Sequence, residues 1–183
     1  MTQATLFAVP TREQVSPNNQ AVFDKLNKSL GMVPNIYATF AHSDTALSDY
    51  LAFDSRKSSL SAKEREAINL AVSEVNGCRY CLAAHTAISK MHGYSDDQII
   101  ELRRGRASFD DRIDALARFA KSVADHRGKV SDLDTAFLLD EGYSEENIVD
   151  IVLAISGITT TNYLHNITEV PVDFPAAPEL LTP

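Results

Sequence analysis

Helix-start signals recur along this chain and leave little room for any other element. Ser16-Pro17 pairs an N-cap serine with a proline at the first helical position, where its missing N–H costs nothing. Ser61-Ala62-Lys63-Glu64 and Ser95 with Gln98 fit the reciprocal capping box. Asp110 or Asp111, Ser131 and Ser144 open three more segments. Apolar residues follow at helical spacing: Val22, Phe23, Leu26 and Leu30; Ala67, Leu70, Ala71 and Val75; Ile99, Ile100 and Leu102; Ile113, Leu116, Ala120 and Val123. Pro34 restarts the chain into a short helix with Ile36, Tyr37 and Phe40. A further helix, 44–57, is expected to bury Leu47, Tyr50, Leu51 and Phe53. Gly31, Asn76-Gly77, Gly93, Arg103-Arg104-Gly105 and Gly128 supply the stops. No segment alternates as a strand flanked by hairpin turns. The fold class is all-α, in a single domain spanning 1–183. Residues 1–15 form an N-terminal arm and residues 169–183 a C-terminal one. The last arm holds Pro171, Pro175, Pro178 and Pro183, and cannot be helical throughout. Ile158-Thr159-Thr160-Thr161 is the one place where propensity argues against a helix.

The 183 residues carry a net charge of −8. That excess repels a nucleic acid or an anionic membrane, and no dense Lys/Arg run offsets it. No stretch approaches the roughly 20 apolar residues of a membrane span. Residues 1–10 lack the basic-then-apolar leader of a secreted chain, so the expected compartment is the cytoplasm.

In that compartment the two cysteines carry weight. They are the only ones in the chain, and they stand three apart in Gly77-Cys78-Arg79-Tyr80-Cys81-Leu82-Ala83-Ala84-His85. A cytosolic C-x-x-C is more often redox-active or metal-binding than a passive staple. A helix beginning near Cys78 carries Cys78, Cys81 and His85 on one stripe. Its N-terminus and the nearby His85 both favour a thiolate. A pair of thiols suits a two-step cycle: one attacks an oxidant and becomes a sulfenic acid, the other closes a disulfide, and an external dithiol reopens it. That cycle needs no metal and no organic cofactor. Zinc would need four ligands, and Cys78, Cys81 and His85 with Glu66 are the set on offer; inert core thiols are the remaining alternative.

Glu66, then Cys78-x-Tyr80-Cys81, then His85 resembles the signature of the alkylhydroperoxidase D/carboxymuconolactone decarboxylase superfamily. The capped helix before the motif, the Gly93-Tyr94-Ser95 restart and the ending from Asn162-Tyr163 to Phe174-Pro175 resemble its peroxidase-related branch, over most of residues 35–176. The resemblance implies an alkylhydroperoxidase-D-like helical fold, assembled as a trimer or hexamer. It implies an antioxidant enzyme reducing peroxides, in which Cys81 reacts with the peroxide, Cys78 resolves, and Glu66 and His85 relay protons. The reductant would be an external dithiol or a lipoyl-type group. The family pattern has a histidine where this chain has Tyr80, which donates a hydrogen bond but is no base near neutral pH. Tyr80 is therefore a candidate hydrogen-bond donor of an altered relay. The decarboxylase branch generally lacks the cysteine pair, which argues against decarboxylation. The alternative from another class is a helical oligomer whose dithiol senses oxidation without turnover, or a thiol–disulfide oxidoreductase that is not a peroxidase.

Four other histidines, His42, His92, His126 and His165, are expected at the surface or an interface, and Glu74 as a surface charge. Phe40, Tyr50, Phe53, Phe119 and Phe137 are expected in the core. Gly93-Tyr94-Ser95-Asp96-Asp97-Gln98-Ile99 echoes Gly142-Tyr143-Ser144-Glu145-Glu146-Asn147-Ile148. A degenerate duplication and the chance likeness of two capped helices both fit that echo.

Overall fold

In the computed structural model, which describes residues 7–180, every long element is an α-helix. They are α1 (Pro17–Leu30), α2 (Asn35–Phe40), α3 (Ala46–Asp54), α4 (Ala62–Val75), α5 (Arg79–Met91), α6 (Asp96–Arg103), α7 (Asp111–Asp125), α8 (Asp132–Asp140) and α9 (Glu145–Thr168). No strand occurs among the described residues. The ends of both arms, residues 1–6 and 181–183, lie outside them.

The caps are where the side chains place them. Ser61 and Glu64 satisfy each other's backbone donors at the start of α4, Ser95 and Gln98 do so for α6, and Ser144 and Asn147 for α9. Gly93 and Gly142, at φ 87° and 84°, make the left-handed turns that precede two of these caps. The tyrosine after each glycine is buried beneath a cation, Lys63 over Tyr94 and Arg112 over Tyr143, so the two echoing segments have the same local build.

α4 is the centre of the bundle. It packs against α5, α6, α7 and α9, and Ala67, Ile68, Leu70, Ala71 and Val72 are fully enclosed. Each large aliphatic side chain so buried contributes roughly 1.5–3 kcal/mol. A smaller apolar cluster joins α1, α2 and α3 through Phe23, Leu26, Ala38 and Leu47. Val15 belongs to it, and Arg12–Gln14 form one 3₁₀ turn, so residues 7–15 are more ordered than a plain extended arm.

Several expectations of burial need correction. Leu30, placed on the buried face of α1, is 56% exposed. α3 is shorter than 44–57, and of the residues expected inward only Leu47 is buried, with Tyr50, Leu51 and Phe53 partly buried on it. Phe137 is exposed and Phe40 is partly buried, rather than core. The doubtful run 158–161 is helical inside the 24-residue α9. Its threonines bond back onto the helix, Thr160 Oγ1 to the Ser156 carbonyl at 2.9 Å and Thr161 Oγ1 to that of Ile158 at 2.9 Å. Packing of α9 against α4 and α5 outweighs the propensity deficit.

The C-terminal segment is not helical and lies on the body of its own chain. Asp173 accepts from the Asn35 backbone N–H at 2.8 Å, Asn35 Nδ2 donates to the Pro171 carbonyl at 3.0 Å, and Arg103 donates to the Pro178 carbonyl. Arg103 is itself buried and paired with Glu74 at 2.7 Å, so Glu74 is the partner of a buried cation and not a free surface charge. No helix among the described residues is long and apolar enough to cross a membrane.

Candidate active site

Gly77, at φ 64°, ends α4 in a left-handed turn and hands the chain to Cys78, the N-cap of α5. An N-cap side chain accepts from the free N–H groups of the first turn. Here the acceptor is sulfur: the Cys81 N–H lies 3.3 Å from Cys78 Sγ. Cys81 sits one turn into the helix, and the two sulfurs are 2.8 Å apart as free thiols. A third contact runs from Cys81 Sγ to Thr161 Oγ1 of α9 at 3.7 Å.

The pair loses its first proton easily and its second with difficulty. The hydrogen bond from the Cys81 thiol draws Cys78 well below the usual thiol range; burial opposes this, and His165 and the Cys81 N–H reinforce it. The same bond, with burial and the Cys78 charge, pushes the Cys81 thiol up. One negative charge is shared by two sulfurs, with Cys78 its resting place.

The sulfurs face different surroundings. Cys81 lies in the wall of a cavity of about 580 Å³, while Cys78 is fully enclosed and does not line it. The three-residue stripe expected of Cys78, Cys81 and His85 is thus a two-residue one. Cys81 and His85 share the cavity side of α5, and Cys78 as the N-cap is turned beneath them. Tyr37, Tyr50, Ile88, Ile158 and Phe174 give the cavity apolar and aromatic walls. Tyr50, expected in the core, is one of them.

Glu66 comes from α4, across the Asn76-Gly77 break, and meets His85 with Oε2 2.9 Å from Nδ1. Asn69 Nδ2 donates to Glu66 Oε1 at 3.0 Å, and the Ser89 hydroxyl adds a longer contact at 3.4 Å. Burial alone would raise the Glu66 pKa, but the charge and hydrogen bond of His85 and the Asn69 amide outweigh it and hold the carboxyl low. Burial would lower the His85 pKa, but Glu66 outweighs it and the imidazole is raised. A carboxylate only accepts, so Nδ1 carries the proton and Nε2 is the nitrogen left for the cavity.

Tyr80 is buried, and its hydroxyl is committed. It donates to Asp173 and accepts from the Ile36 N–H at 3.3 Å. Burial and then the Asp173 carboxylate push its pKa upward, so it stays a phenol. Its ring packs against Phe174 and His165. Tyr80 is therefore the post to which the C-terminal segment is tied.

Of the other histidines, His42, His92 and His126 are exposed as expected. His165 is not: it is 3% exposed, with Nε2 3.2 Å from the Val170 carbonyl, and it is one of the groups that draw the Cys78 thiol downward. Nothing in the motif spacing signals this residue, because it comes to the thiols from α9. Among the described residues no group of three His, Cys, Asp or Glu side chains is gathered to hold a metal, so the zinc alternative finds no ligand set there.

Residues 39–122 match the carboxymuconolactone decarboxylase family model. The uncharacterized protein YdfG of Bacillus subtilis (strain 168) is 29% identical over 112 residues, 58% of this chain and 74% of that one. A peroxidase-related protein from Ralstonia eutropha JMP134, with an alkylhydroperoxidase AhpD core, superposes with a TM-score of 0.83 at 22% identity over 94% of each chain. A peroxidase-related protein from Silicibacter sp. TM1040 does so with a TM-score of 0.79 at 26% identity, over 94% of this chain and 91% of that one. The motif, the helical architecture and these relatives agree: the chain is similar to the carboxymuconolactone decarboxylase family over residues 39–122, and it has the alkylhydroperoxidase D-like helical fold of the peroxidase-related proteins.

Proposed function

We propose that this chain is an antioxidant thiol peroxidase that reduces a hydroperoxide through Cys81 and Cys78. The observation that carries the reading is a dithiol, sulfurs 2.8 Å apart, with Cys81 in the wall of a cavity that also holds the Glu66–His85 pair. Cys78 takes the Cys81 proton, which leaves the thiolate on the cavity side. That thiolate attacks the outer peroxide oxygen and the O–O bond breaks. The departing alkoxide or hydroxide takes a proton from His85, and Cys81 is left as a sulfenic acid. Cys78 then attacks the Cys81 sulfur, water leaves, and a disulfide remains. An external dithiol or lipoyl-type reductant attacks that disulfide and restores both thiols. The decarboxylase chemistry of the wider family has no use for this dithiol. The exposed apolar residues Val149, Val152, Tyr163 and Ile167 of α9 offer a face on which copies could assemble as a trimer or hexamer, and the cytoplasm is the compartment in which such a dithiol stays reducible.

The test is peroxide consumption with dithiothreitol or dihydrolipoamide as reductant, for the wild type, Cys81→Ser and Cys78→Ser. Sustained turnover in the wild type, lost in both variants, is the expected result. Oxidation of one equivalent followed by arrest, with reductant in excess, would replace the enzyme with a redox sensor.

A further inference from the structure

The Glu66–His85 pair stands on the cavity side of the dithiol and serves Cys81. Cys78 is enclosed on the other side, and there a second imidazole meets it. His165 is almost wholly buried on α9. Its Nε2 lies 3.2 Å from the Val170 carbonyl, which can only accept, so Nε2 bears the proton and Nδ1 the lone pair. That Nδ1 is buried and without a hydrogen-bond partner. A buried acceptor left unpaired calls for a reason. Its neighbour is Cys78, whose thiol pKa His165 draws downward, as an imidazole does when it takes up a thiol proton and holds the thiolate as an ion pair. One turn earlier on the same helix, Thr161 contacts Cys81. α9 thus presents a hydroxyl to one sulfur and an imidazole to the other.

We infer that His165 is the base for Cys78, separate from the relay that serves Cys81; the inference rests on the peroxidase reading for its place in the cycle. In disulfide closure the Cys78 S–H bond breaks and its proton passes to His165 Nδ1. The sulfur lone pair forms the S–S bond, the S–O bond of the Cys81 sulfenic acid breaks, and the hydroxide leaves as water with a proton delivered through the cavity. Cys78 is oxidised and Cys81 reduced by one level each. When the external dithiol reopens the bond, Cys78 leaves as a thiolate and recovers its proton from His165. The titratable neighbours of the imidazole are Cys78 and Tyr80 of α5, with Cys81 behind Cys78 and Asp173 behind the Tyr80 hydroxyl.

The test compares wild type with His165→Gln. Thiolate absorbance against pH in the reduced protein should show its first step moved up by about one pH unit in the variant. Disulfide closure, followed in stopped flow with peroxide and separately with diamide, should slow about tenfold near neutral pH. An unshifted titration with unchanged closure in a folded variant overturns the inference. Diamide closure that depends on His165, in a protein that does not consume peroxide, would sink the peroxidase reading and leave this base in place. Should His165→Gln fail to fold, the imidazole nitrogens of the wild type decide by NMR. An Nδ1 whose shift and protonation respond to Cys78→Ser supports the pairing; one indifferent to Cys78→Ser overturns it.

Discussion

At the scale of single residues the site is a matter of who holds each proton. Glu66 is held below the usual carboxylate range and His85 above the usual imidazole range, each by the other. The Glu66 contribution to stability is present above the unfolded carboxylate pKa and fades as pH falls through the lower folded value. The His85 contribution is complete below the unfolded imidazole pKa and fades as pH rises through the higher folded one. The pair is therefore intact across the interval between, and His85 enters neutral pH able to donate. Glu66→Gln removes the charge that raises His85. Turnover is expected to fall by roughly a hundredfold, and the alkaline limb of the pH–rate profile to move to lower pH. A profile that keeps its limb in place would mean that Glu66 does not set the His85 proton. These residues were legible to different depths. Cys78, Cys81 and His85 are neighbours in sequence, so spacing alone groups them. Glu66 lies twelve positions before Cys78, and only the family likeness singles it out from the other acidic residues of α4. His165 carries no such mark, and its burial depends on how α9 crosses α5.

At the scale of elements, the caps were readable because their chemistry is local: a side chain and a backbone donor three residues on. The box of Ser61 and Glu64 matters beyond its own turn, since α4 is the central helix and carries Glu66 little more than a turn from its start. Ser61 N–H and Oγ each lie 2.7 Å from Glu64 Oε2, and Arg112 closes on the other oxygen at 3.3 Å. Ser61→Ala removes the cap and one of the two hydrogen bonds that hold Glu64 from Ser61. The expected cost is about 1 kcal/mol, or a fall in Tm of about 2–4 °C for a chain this long. Thermal unfolding of the reduced protein checks it; an unchanged Tm would mean that Arg112 and the Ser61 N–H hold Glu64 by themselves. What local chemistry did not reveal is which faces end at the cavity. Leu30 belongs to the apolar stripe of α1, and Met91, 84% exposed, ends the apolar run of α5, yet both line the cavity. Periodicity reports that a face is apolar, and not whether a neighbouring element covers it.

At the scale of the whole molecule, three distant parts of the chain meet at Tyr80. Its hydroxyl donates to Asp173, whose other oxygen accepts from Asn35 at the start of α2, and its ring is flanked by Phe174 and by His165. Residues 35, 80 and 173 come together only in the folded chain, which is why the sequence presents Tyr80 as a change in the motif and gives no hint of its partner. In this arrangement the phenol is one of the groups that hold the C-terminal segment on the body, and Phe174 of that segment lines the cavity. A double-mutant cycle isolates the contact. Tyr80→Phe removes the donor and keeps the ring, Asp173→Asn removes the charge, and urea unfolding gives the stability of each variant and of the pair. A hydrogen bond to a carboxylate contributes about 1.5–3 kcal/mol, so the coupling should exceed about 1 kcal/mol. Effects that add to within about 0.3–0.5 kcal/mol would show that the segment is fastened elsewhere, by Arg103 on the Pro178 carbonyl and Asn35 on Pro171. The same four proteins separate anchoring from chemistry. A residue that only shapes the cavity alters KM for the peroxide more than kcat, whereas loss of a proton donor lowers kcat. Tyr80→Phe is expected to raise KM with little change in kcat. A kcat loss as large as that of Glu66→Gln would return Tyr80 to the proton relay.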